Sequence, residues 1–474
     1  MTFRSLRPDV PYPPLSQPLS ITEYVFSLLR KSPVASSLGE TDALINATTG
    51  QRLKYADLIS QVDALAAHLQ SRTPLRRGDS AFVLAPSSLA VPVVYLALMK
   101  LGVVVSPANP LSTESEVAHE IDLCRPRIAF AISPLAGKIP RLELGTVLLD
   151  SKEFASILNR PGTAGGVKVD QSDSAAILYS SGTTGKMKGV LITHRNLIAL
   201  VGGYYHIQPQ REAGAQHPVL LVTTPMFHVF GFSMVLRSLA LGDTLTFLER
   251  FTFEDMLKTV EKYRVTYIPV SPPLVVAMAK SDLVSKYDLS SLQGLACGGA
   301  PLGKDVAEKF RAKFPNVEIS QLSLLLSRAY VGDPAATAAT FSGDWLKTGD
   351  LCYFDDEGFL YIVDRIKELI KYKAYQVPPA ELEHILLSIP AVADAAVIPY
   401  PDEEAGEIPM AFVVRKPNCN ITADEIMGFV AKKVAPYKKI RKVAFIDAIP
   451  KNPSGKILRR ELVNQAMTMG RSKL

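Results

Sequence analysis

A loop rich in glycine and hydroxyl side chains is the segment of this chain best equipped for chemistry. It lies in "YSSGTTGKMKGVLITH" (179–194), where residues 180–190 combine three glycines with serines, threonines and two lysines. Such a loop can surround a polyanion with backbone N–H groups, hydroxyls and ammonium groups, so it predicts a phosphate site. A solvated hairpin between two strands is the structural alternative.

The runs on either side of this loop, "AAILYS" and "GVLITH", are both typical of strands. A Walker A loop instead leads from a strand into a helix and has the spacing GxxxxGK[ST], which the residues from Gly182 to Met187 do not match. The pattern therefore disfavours a P-loop NTPase.

A second cationic loop lies near the C-terminus, in "PKNPSGKILRREL" (450–462). Pro453 and Gly455 predict a loop that can place the ammonium group of Lys456 in a cleft, although a loop lysine is most often solvated. His194 and His228 are lone histidines, for which a buried structural role is the ordinary expectation. The four cysteines lie far apart without a CxxC, so neither a zinc knuckle nor a disulfide framework is indicated.

The segments that must position these loops alternate between strand-like and helical patterns. Strand-like runs include "DALINAT", "AFVLA", "VVVSP", "PVLLVTTP", "TLTFLE" and "VTYIPVSPP"; helical runs include residues 55–69, "VVYLALMKLG", "GFSMVLRSLALG" and "FEDMLKTVEKY". This alternation predicts an α/β fold of parallel-rich sheets flanked by helices. Because the sequence becomes rich in charged residues near Asp364-Arg365, we predict a large N-terminal domain over residues 1–363 and a small C-terminal α+β domain over residues 364–474.

Composition and signals limit the possible functions further. With 474 residues, 47% of them hydrophobic and 21% charged, the chain is typical of a globular protein of at least two domains. A net charge of +6 without a basic block makes nucleic acid an unexpected partner. The uncharged stretch 80–99 is interrupted by Pro86 and Pro92, which favours a buried strand, turn and helix over a membrane span.

Targeting signals predict a peroxisomal protein. The chain starts without an apolar signal segment, so secretion is not expected. It ends in Ser472-Lys473-Leu474, the tripeptide read by the peroxisomal import receptor, which is therefore an expected partner.

Six ordered motifs cover nearly the whole chain: "YSSGTTGKMKGV", "PMFHVFG" (225–231), "GGAPLG" (298–303), "WLKTGD" (345–350), "VDRIKELIKYKAYQVPPAELE" (363–383) and "PKNPSGKILRREL". Together they resemble the AMP-forming acyl-CoA synthetases, and most of all the plant peroxisomal 4-coumarate:CoA ligase-like proteins. The resemblance implies ATP, Mg²⁺ and coenzyme A as cofactors. It also implies two steps: a carboxylic acid attacks ATP to give acyl-AMP and pyrophosphate, and the thiol of coenzyme A then displaces AMP.

The resemblance further implies roles for individual residues. The phosphates would be gripped by Ser180, Ser181, Gly182, Thr183, Thr184, Gly185 and Lys188. The backbone of Gly299, Ala300 and Pro301 would flank adenine, Asp350 would accept hydrogen bonds from both ribose hydroxyls, and Arg365 would reach the ribose. Other nucleotide or coenzyme A contacts are implied for Gln321, Lys367, Lys371, Lys373, Ala374 and Gln376. Ala374 departs from the glycine expected there.

Lys456 matches the lysine that bridges carboxylate and α-phosphate oxygens during adenylation and stabilises the developing charge. The small domain is then expected to rotate about Asp364-Arg365. This rotation would carry Lys456 away and bring "KYKAY" to the site for thioester formation.

The acid pocket is expected beside "PMFHVFG", lined by His228, Phe230, Met234 and Val270 and therefore apolar. Arg250 takes the place where ligases for hydroxycinnamates usually carry lysine. The acid could be a cinnamate, a medium or long fatty acid, or an oxylipin precursor. Alternatives to a ligase are a luciferase-like oxidative enzyme of the same fold and a non-catalytic binding protein derived from a ligase.

One part of the family pattern is missing. After "FPNVEISQ" the family has a Gly-Tyr-Gly-(Met/Leu)-Thr-Glu turn and a β-rich subdomain, but this chain passes from Gln321 to Tyr330 through "QLSLLLSRAY". The spacing of the flanking motifs indicates that on the order of sixty residues are absent, by splicing or by an error in the predicted gene. The lost threonine would contact phosphate and the lost glutamate would bind Mg²⁺, so no metal ligand is assigned. We expect exposed apolar faces, poor folding or strongly impaired ligation.

Overall fold

The structure is a computed structural model that describes residues 8–181, 187–208, 214–298, 302, 304–322, 328–343, 345–373, 375–452 and 455–471. Its strands are β1 (Asp42–Asn46), β2 (Arg52–Lys54), β3 (Ser80–Leu84), β4 (Val104–Pro107), β5 (Ile128–Ala131), β6 (Thr146–Leu148), β7 (Ser174–Ser181), β8 (Met187–Thr193), β9 (Val219–Val222), β10 (Thr244–Phe247), β11 (Tyr267–Val270), β12 (Gly294–Gly298), β13 (Glu318–Leu322), β14 (Ala329–Tyr330), β15 (Phe341–Ser342), β16 (Trp345–Leu346), β17 (Asp350–Phe354), β18 (Leu360–Arg365), β19 (Ile370–Tyr372), β20 (Tyr375–Val377), β21 (Val392–Asp402), β22 (Gly406–Arg415) and β23 (Lys442–Phe445).

Helices connect these strands. They are α1 (Ile21–Leu29), α2 (Tyr55–Arg72), α3 (Ala90–Lys100), α4 (Glu114–Cys124), α5 (Ser133–Ala136), α6 (Lys152–Leu158), α7 (His194–Ile207), α8 (Val229–Leu241), α9 (Phe253–Tyr263), α10 (Pro272–Lys280), α11 (Lys304–Lys313), α12 (Pro334–Thr340), α13 (Pro379–Ser388), α14 (Ala423–Ala431) and α15 (Arg459–Arg471). Short 3₁₀ helices span Asp282–Lys286 and Pro436–Lys438. Among the described residues, no helix combines the length and apolarity needed to cross a membrane.

Two seven-stranded sheets form the large domain. The first has the order β13-β12-β11-β9-β10-β1-β2 and is parallel except where β2 pairs with β1. The second has the order β14-β8-β7-β4-β3-β5-β6, with β8 antiparallel to both of its neighbours. The predicted α/β fold with parallel-rich sheets is therefore confirmed, as is the interpretation of residues 80–99 as strand, turn and helix.

One apolar core joins the two sheets. It includes Leu44 in the first sheet, Val83 in the second, and Ile21, Val94 and Phe232 on the helices α1, α3 and α8, all nearly or fully buried. Burial of such side chains contributes about 1.5–3 kcal/mol each to folding. This shared core holds the two sheets in a defined position relative to each other.

The C-terminal part has its own sheet and core. Strands β20, β19, β22 and β21 form an antiparallel sheet, and β23 adds to β22 in parallel. Helices α13 and α14 cover one set of its apolar residues, including Leu382, Val397 and Ile426. This arrangement is the expected small α+β unit, and its start near residue 364 stays a prediction.

The place of the missing family segment is a short connection between the two sheets. Residue 322 ends β13 at the edge of the first sheet, and β14 begins at residue 329 at the edge of the second. Ala329 pairs with Leu191, and Tyr330 pairs with Val190. Only six residues separate the two strands along the chain.

Apolar side chains are exposed immediately after this connection. Strands β17 and β18 pair only with each other among the described strands, and the segment 345–361 exposes Trp345, Leu351, Tyr353, Phe354, Phe359, Leu360 and Tyr361. The rings of Tyr353 and Tyr361 stack at 5.0 Å but remain 54% and 45% exposed. The expected uncovering of apolar surface is therefore present in this hairpin.

His194 connects two helices in the core. It begins α7, is fully buried, and accepts a hydrogen bond at Nδ1 from the backbone N–H of Ile21 at 3.0 Å. Its Nε2 has no partner in the described part of the chain. Burial lowers the pKa of His194 to about 4, so the ring is neutral near pH 7, and its expected structural role is confirmed.

This buried histidine predicts a stability loss in acid. Between pH 6.5 and 4 the unfolded chain binds a proton at His194 that the folded chain does not bind, so stability falls as pH falls through this range. The expected loss is about 2 kcal/mol at pH 5. Denaturant unfolding at pH 7.5 and 5 should show a smaller pH-dependent loss for His194→Gln than for wild type. The exposed His206→Gln is the control, and equal pH dependence in all three proteins would contradict the assignment.

Candidate active site

The strand order of the first sheet reverses at β9, and the position beyond the carboxyl ends of β9 and β11 is called the crevice here. The chain places β10 on one side of β9 and β11 on the other side. In open α/β sheets, ligands bind beyond the carboxyl ends of the strands at such a point. Residues 223–228 follow β9 there, and Ser271 follows β11.

The "PMFHVFG" segment makes a tight turn at this crevice. A Cβ atom on Gly231 would lie 2.2 Å from the carbonyl oxygen of Pro225, so a larger residue cannot occupy this position without displacing the backbone. His228 caps α8, because its Nδ1 accepts a hydrogen bond from the backbone N–H of Phe230 at 3.3 Å. Burial lowers the pKa of His228, which favours the neutral imidazole.

The predicted acid-pocket residues lie around the same crevice at different depths. Phe230 is half-buried, and Met234 lies one helical turn further along α8, fully buried in the core. Val270 is buried at the end of β11, and Arg250 is exposed after β10. Their contacts with an acid stay predictions.

The phosphate loop connects β7 and β8 in the second sheet, as the flanking patterns predicted. Ser180 is paired with Lys188 and Ser181 with Met187 across the antiparallel ladder. Gly182, Thr183, Thr184 and Gly185 lie outside the described residues, as do Gly299, Ala300, Pro301 and Ala374. The roles assigned to these eight residues stay predictions.

Lys188 lies near the start of β8, next to the predicted phosphate loop. It forms an ion pair with Asp333, which follows β14. Its Nζ lies 2.9 Å from Oδ2 of Asp333 and 5.3 Å from the centre of the Tyr330 ring. Asp333 also accepts a hydrogen bond from the N–H of Ala336 at the start of α12. The Ala336 bond and Lys188 lower the pKa of Asp333. A bound phosphate would have to compete with this carboxylate for Lys188.

Asp350 and Arg365 meet across the hairpin of β17 and β18. They are directly paired, with Arg365 Nε 2.7 Å from Oδ1 of Asp350. Arg365 also donates to the carbonyl of Thr348 at 3.2 Å. Gly349, between Thr348 and Asp350, has a φ of +75°, a backbone conformation that favours glycine. The structure thus brings together the two residues expected at the ribose.

Lys456 lies beside the turn that follows Arg365. Its Nζ is 3.7 Å from Oε1 of Glu368, and its side chain is 52% exposed. Arg459 binds Glu368 at 2.9 Å and also pairs with Glu383. Burial alone would lower the pKa of Arg459, but the two carboxylates raise it overall. This network holds the start of α15, and with it the Lys456 loop, against the turn.

The same loop touches the carboxyl edge of the first sheet. A Cβ atom built on Gly455 would lie 2.9 Å from Oγ of Ser271, and Gly455 has a φ of +81°. The loop therefore lies against the residue that joins β11 to α10. The backbone of the Lys456 loop thus reaches the carboxyl end of β11, while the Lys456 ammonium group pairs with Glu368.

The remaining predicted residues lie near this crevice or on the small domain. Gln321 in β13 accepts a hydrogen bond at Oε1 from the N–H of Leu302 at 3.3 Å, next to the predicted adenine segment. On the small domain, Lys373 binds Glu404 at 2.7 Å, the N–H of Lys371 donates to Glu407, and Gln376 pairs with Lys371. Lys367 is exposed in the turn after Arg365. None of these contacts tests the assigned nucleotide or coenzyme A roles.

Several residues that hold the site were missed by sequence reasoning. Arg459 is 91 residues from Glu368 and 76 residues from Glu383, and Ser271 is far from Gly455 along the chain. No local spacing connects such pairs. The unusual density of charges in "RIKEL" and "ILRREL" was the only available signal.

Comparison with known proteins assigns the chain to a family. The profile described as AMP-binding enzyme matches residues 34–322, and the profile described as AMP-binding enzyme C-terminal domain matches residues 381–456. The chain belongs to the AMP-binding enzyme family. By family it is an AMP-forming CoA ligase of the 4-coumarate:CoA ligase-like kind.

Individual relatives agree with this assignment. The chain is 50% identical to "4-coumarate--CoA ligase-like 9" of Arabidopsis thaliana, covering 100% of the chain and 96% of the relative. It is 39% identical to "Peroxisomal OPC-8:0-CoA ligase 1" of the same plant, covering 98% and 96%. Its fold is similar to that of ATP-bound MatB from Rhodopseudomonas palustris, with a TM-score of 0.79, 23% identity and coverage of 94% and 99%.

The comparisons also bear on the missing segment. The alignment with the first relative extends over 540 positions although this AMP-binding enzyme has 474 residues, so at least 66 positions face gaps in the chain. The AMP-binding profile match ends at residue 322, the last residue of β13. Both observations agree with the predicted size and place of the loss.

A protein-held Mg²⁺ does not fit the residues that are present. The glutamate of the family turn is absent from the sequence. Within the described ranges, no group of three or more histidine, cysteine, aspartate or glutamate side chains could hold a metal ion. We therefore assign no metal ligand in this AMP-binding enzyme.

The ion pair of Lys188 predicts a gain in anion affinity when it is removed. Asp333→Asn keeps an acceptor for the Ala336 N–H but frees the ammonium group. Because partly exposed pairs contribute about 0.2–1 kcal/mol, we expect ATP to bind up to about fivefold more tightly. Calorimetric titration of wild type, Asp333→Asn and the exposed Asp356→Asn would test this. Unchanged affinity in Asp333→Asn would show that the pair does not compete with the nucleotide.

Proposed function

We propose that this AMP-binding enzyme joins a carboxylic acid to coenzyme A in two steps, through an acyl-AMP formed from ATP. The observation that supports this most directly is the pairing of Asp350 with Arg365, followed by the turn where Glu368 holds Lys456, whose loop also lies against Ser271 at the end of β11. A carboxylate for the ribose hydroxyls and a mobile ammonium group are the two functions that acid adenylation requires from this side of the nucleotide.

Each residue has a separate task in the proposed mechanism. Asp350 accepts hydrogen bonds from the ribose, and Arg365 orients that carboxylate and reaches the same sugar. Lys456 neutralises the two anions that repel each other, the acid carboxylate and the α-phosphate, as they approach. The phosphate loop with Ser180 and Lys188 holds the leaving pyrophosphate.

We propose an apolar acid as the substrate, in the class of hydroxycinnamates, fatty acids and oxylipin precursors. The support is the apolar character of Phe230, Met234 and Val270 around the crevice and the neutral state favoured for His228. The names of the two plant relatives, a 4-coumarate--CoA ligase-like protein and an OPC-8:0-CoA ligase, fall within this range of acids.

We also propose that the shortened chain ligates weakly and acts mainly as a binding protein. Three observations favour this: the gaps against the relatives, the exposed apolar hairpin of β17 and β18, and the engagement of Lys188 by Asp333. The absent threonine and glutamate would remove a phosphate contact and a metal ligand.

Peroxisomal location is proposed from the terminal Ser472-Lys473-Leu474, which lies outside the described residues, and from the peroxisomal relative. The import receptor needs an exposed terminus, and residues 467–469, shortly before the tripeptide, are exposed.

The role of Lys456 predicts unequal effects on the two half-reactions. Lys456→Ala should lower pyrophosphate release with a panel of acids about a hundredfold or more, because the developing charge loses its cation. Thioester formation from supplied acyl-AMP and coenzyme A should change only a few fold. The exposed Lys439→Ala is the control. Equal losses in both half-reactions would contradict the assigned role.

The missing segment predicts that restoring it recovers activity. A version with the corresponding residues of a relative inserted between Leu322 and Arg328 should unfold at higher temperature. It should also form the thioester faster, since the metal ligand, the phosphate contact and the cover of the hairpin return. Comparable rates and unfolding temperatures for the two versions would show that the segment is dispensable.

The terminal tripeptide predicts import. A fluorescent protein carrying residues 463–474 should collect in peroxisomes of plant cells, and the same fusion without residues 472–474 should remain in the cytosol. Cytosolic fluorescence from the intact fusion would contradict the proposed location.

A further inference from the structure

The small domain contacts α10 of the large domain at both ends. At the start of α10, Ser271 meets Gly455 of the Lys456 loop. At its end, Lys280 reaches the small domain around the C-terminal end of α13. One helix of the large domain therefore bears both contacts.

Lys280 makes two short hydrogen bonds across the domain boundary. Its Nζ donates to the carbonyl oxygen of Leu387 at 2.6 Å and to that of Val392 at 3.1 Å. These carbonyls lie at the end of α13 and at the start of β21, where the chain changes direction. A protonated lysine is well suited to this position, because the carboxyl end of a helix carries partial negative charge.

Two further contacts surround this bond. Lys309 of α11 donates to the carbonyl of Ser388 at 3.3 Å, and the side chain of Leu387 packs against the apolar core of the large domain. Hydrogen bonds to a charged group are stronger than those between neutral groups. Lys280 therefore takes part in a larger contact between the two domains.

The environment of Lys280 is partly desolvated. Burial lowers its pKa to about 8, with Lys416 and Lys309 acting in the same direction and Asp394 opposing them. Burial thus disfavours the charged form of Lys280, whereas the two hydrogen bonds that it donates favour this form.

We propose that Lys280 is a positioning residue that holds the small domain in the orientation used for adenylation. Resting on the proposed ligase activity, this inference assigns Lys280 no contact with substrate. Its bonds to Leu387 and Val392 fix one end of the domain contact, and the approach of Gly455 to Ser271 holds the Lys456 loop beside the end of β11. In the rotation that the family resemblance implies, Lys456 leaves the site before thioester formation, so we expect that step not to use the Lys280 bonds.

The contact of Lys280 with the carbonyls of Leu387 and Val392, here called the latch, can be tested by hydrogen exchange, which does not require catalytic activity. In Lys280→Met, backbone amides of residues 382–392 should exchange faster than in wild type, while Lys280→Arg, which keeps the charge and the donors, should recover much of the protection. Lys286→Met, on an exposed neighbouring turn, should behave as wild type. Unchanged exchange in Lys280→Met would overturn the latch.

The two half-reactions test the positioning role. Lys280→Met should lower acyl-AMP formation about tenfold and leave thioester formation from supplied acyl-AMP within about twofold. Equal losses in both steps would overturn positioning even if exchange rises. If wild type forms no acyl-AMP, the proposed function fails, and hydrogen exchange still decides the latch. Should Lys280→Met unfold at a much lower temperature, Lys309→Met provides the same comparison with a weaker contact.

Discussion

The guanidinium of Arg459 between Glu368 and Glu383 is the interaction on which the site depends. Its side chain is 17% exposed, so the charge needs both carboxylates to remain in place. One carboxylate belongs to the turn after Arg365 and the other to α13. The start of α15, and the loop before it, are thereby tied both to this turn and to the small-domain core. Removal of one partner would leave a poorly solvated charge and release Lys456.

A second constraint comes from the six residues between β13 and β14. The seven steps from residue 322 to residue 329 reach at most about 25 Å, so the end of β13 and the start of β14 cannot lie further apart than this. The segment from Ala329 to Asp333 adds to β8 and places a carboxylate on Lys188. Among the described strands, β17 and β18 of the following hairpin have no further partner. The short connection is thus followed both by a carboxylate on Lys188, next to the predicted phosphate loop, and by an exposed apolar surface.

The fold was predictable because its signals are local. Alternating strand and helix patterns identified both sheets, and the strands around 182–186 were correct. Asp350 and Arg365 were also found from motifs, and β-pairing brought them together. The Arg459 network, the contact of Gly455 with Ser271 and the bonds of Lys280 could not be predicted. They join residues separated by many tens of positions, and their formation depends on how two domains meet rather than on any periodicity.

Contact at both ends of α10 has a mechanical consequence. The helix has nine residues and is therefore about 13 Å long, so its two contacts with the small domain are about this far apart. A small domain held at two such points resists tilting, because any tilt about one contact stretches the other. If the small domain rotates as the family resemblance implies, both contacts must break together, and we expect the rotation to be cooperative.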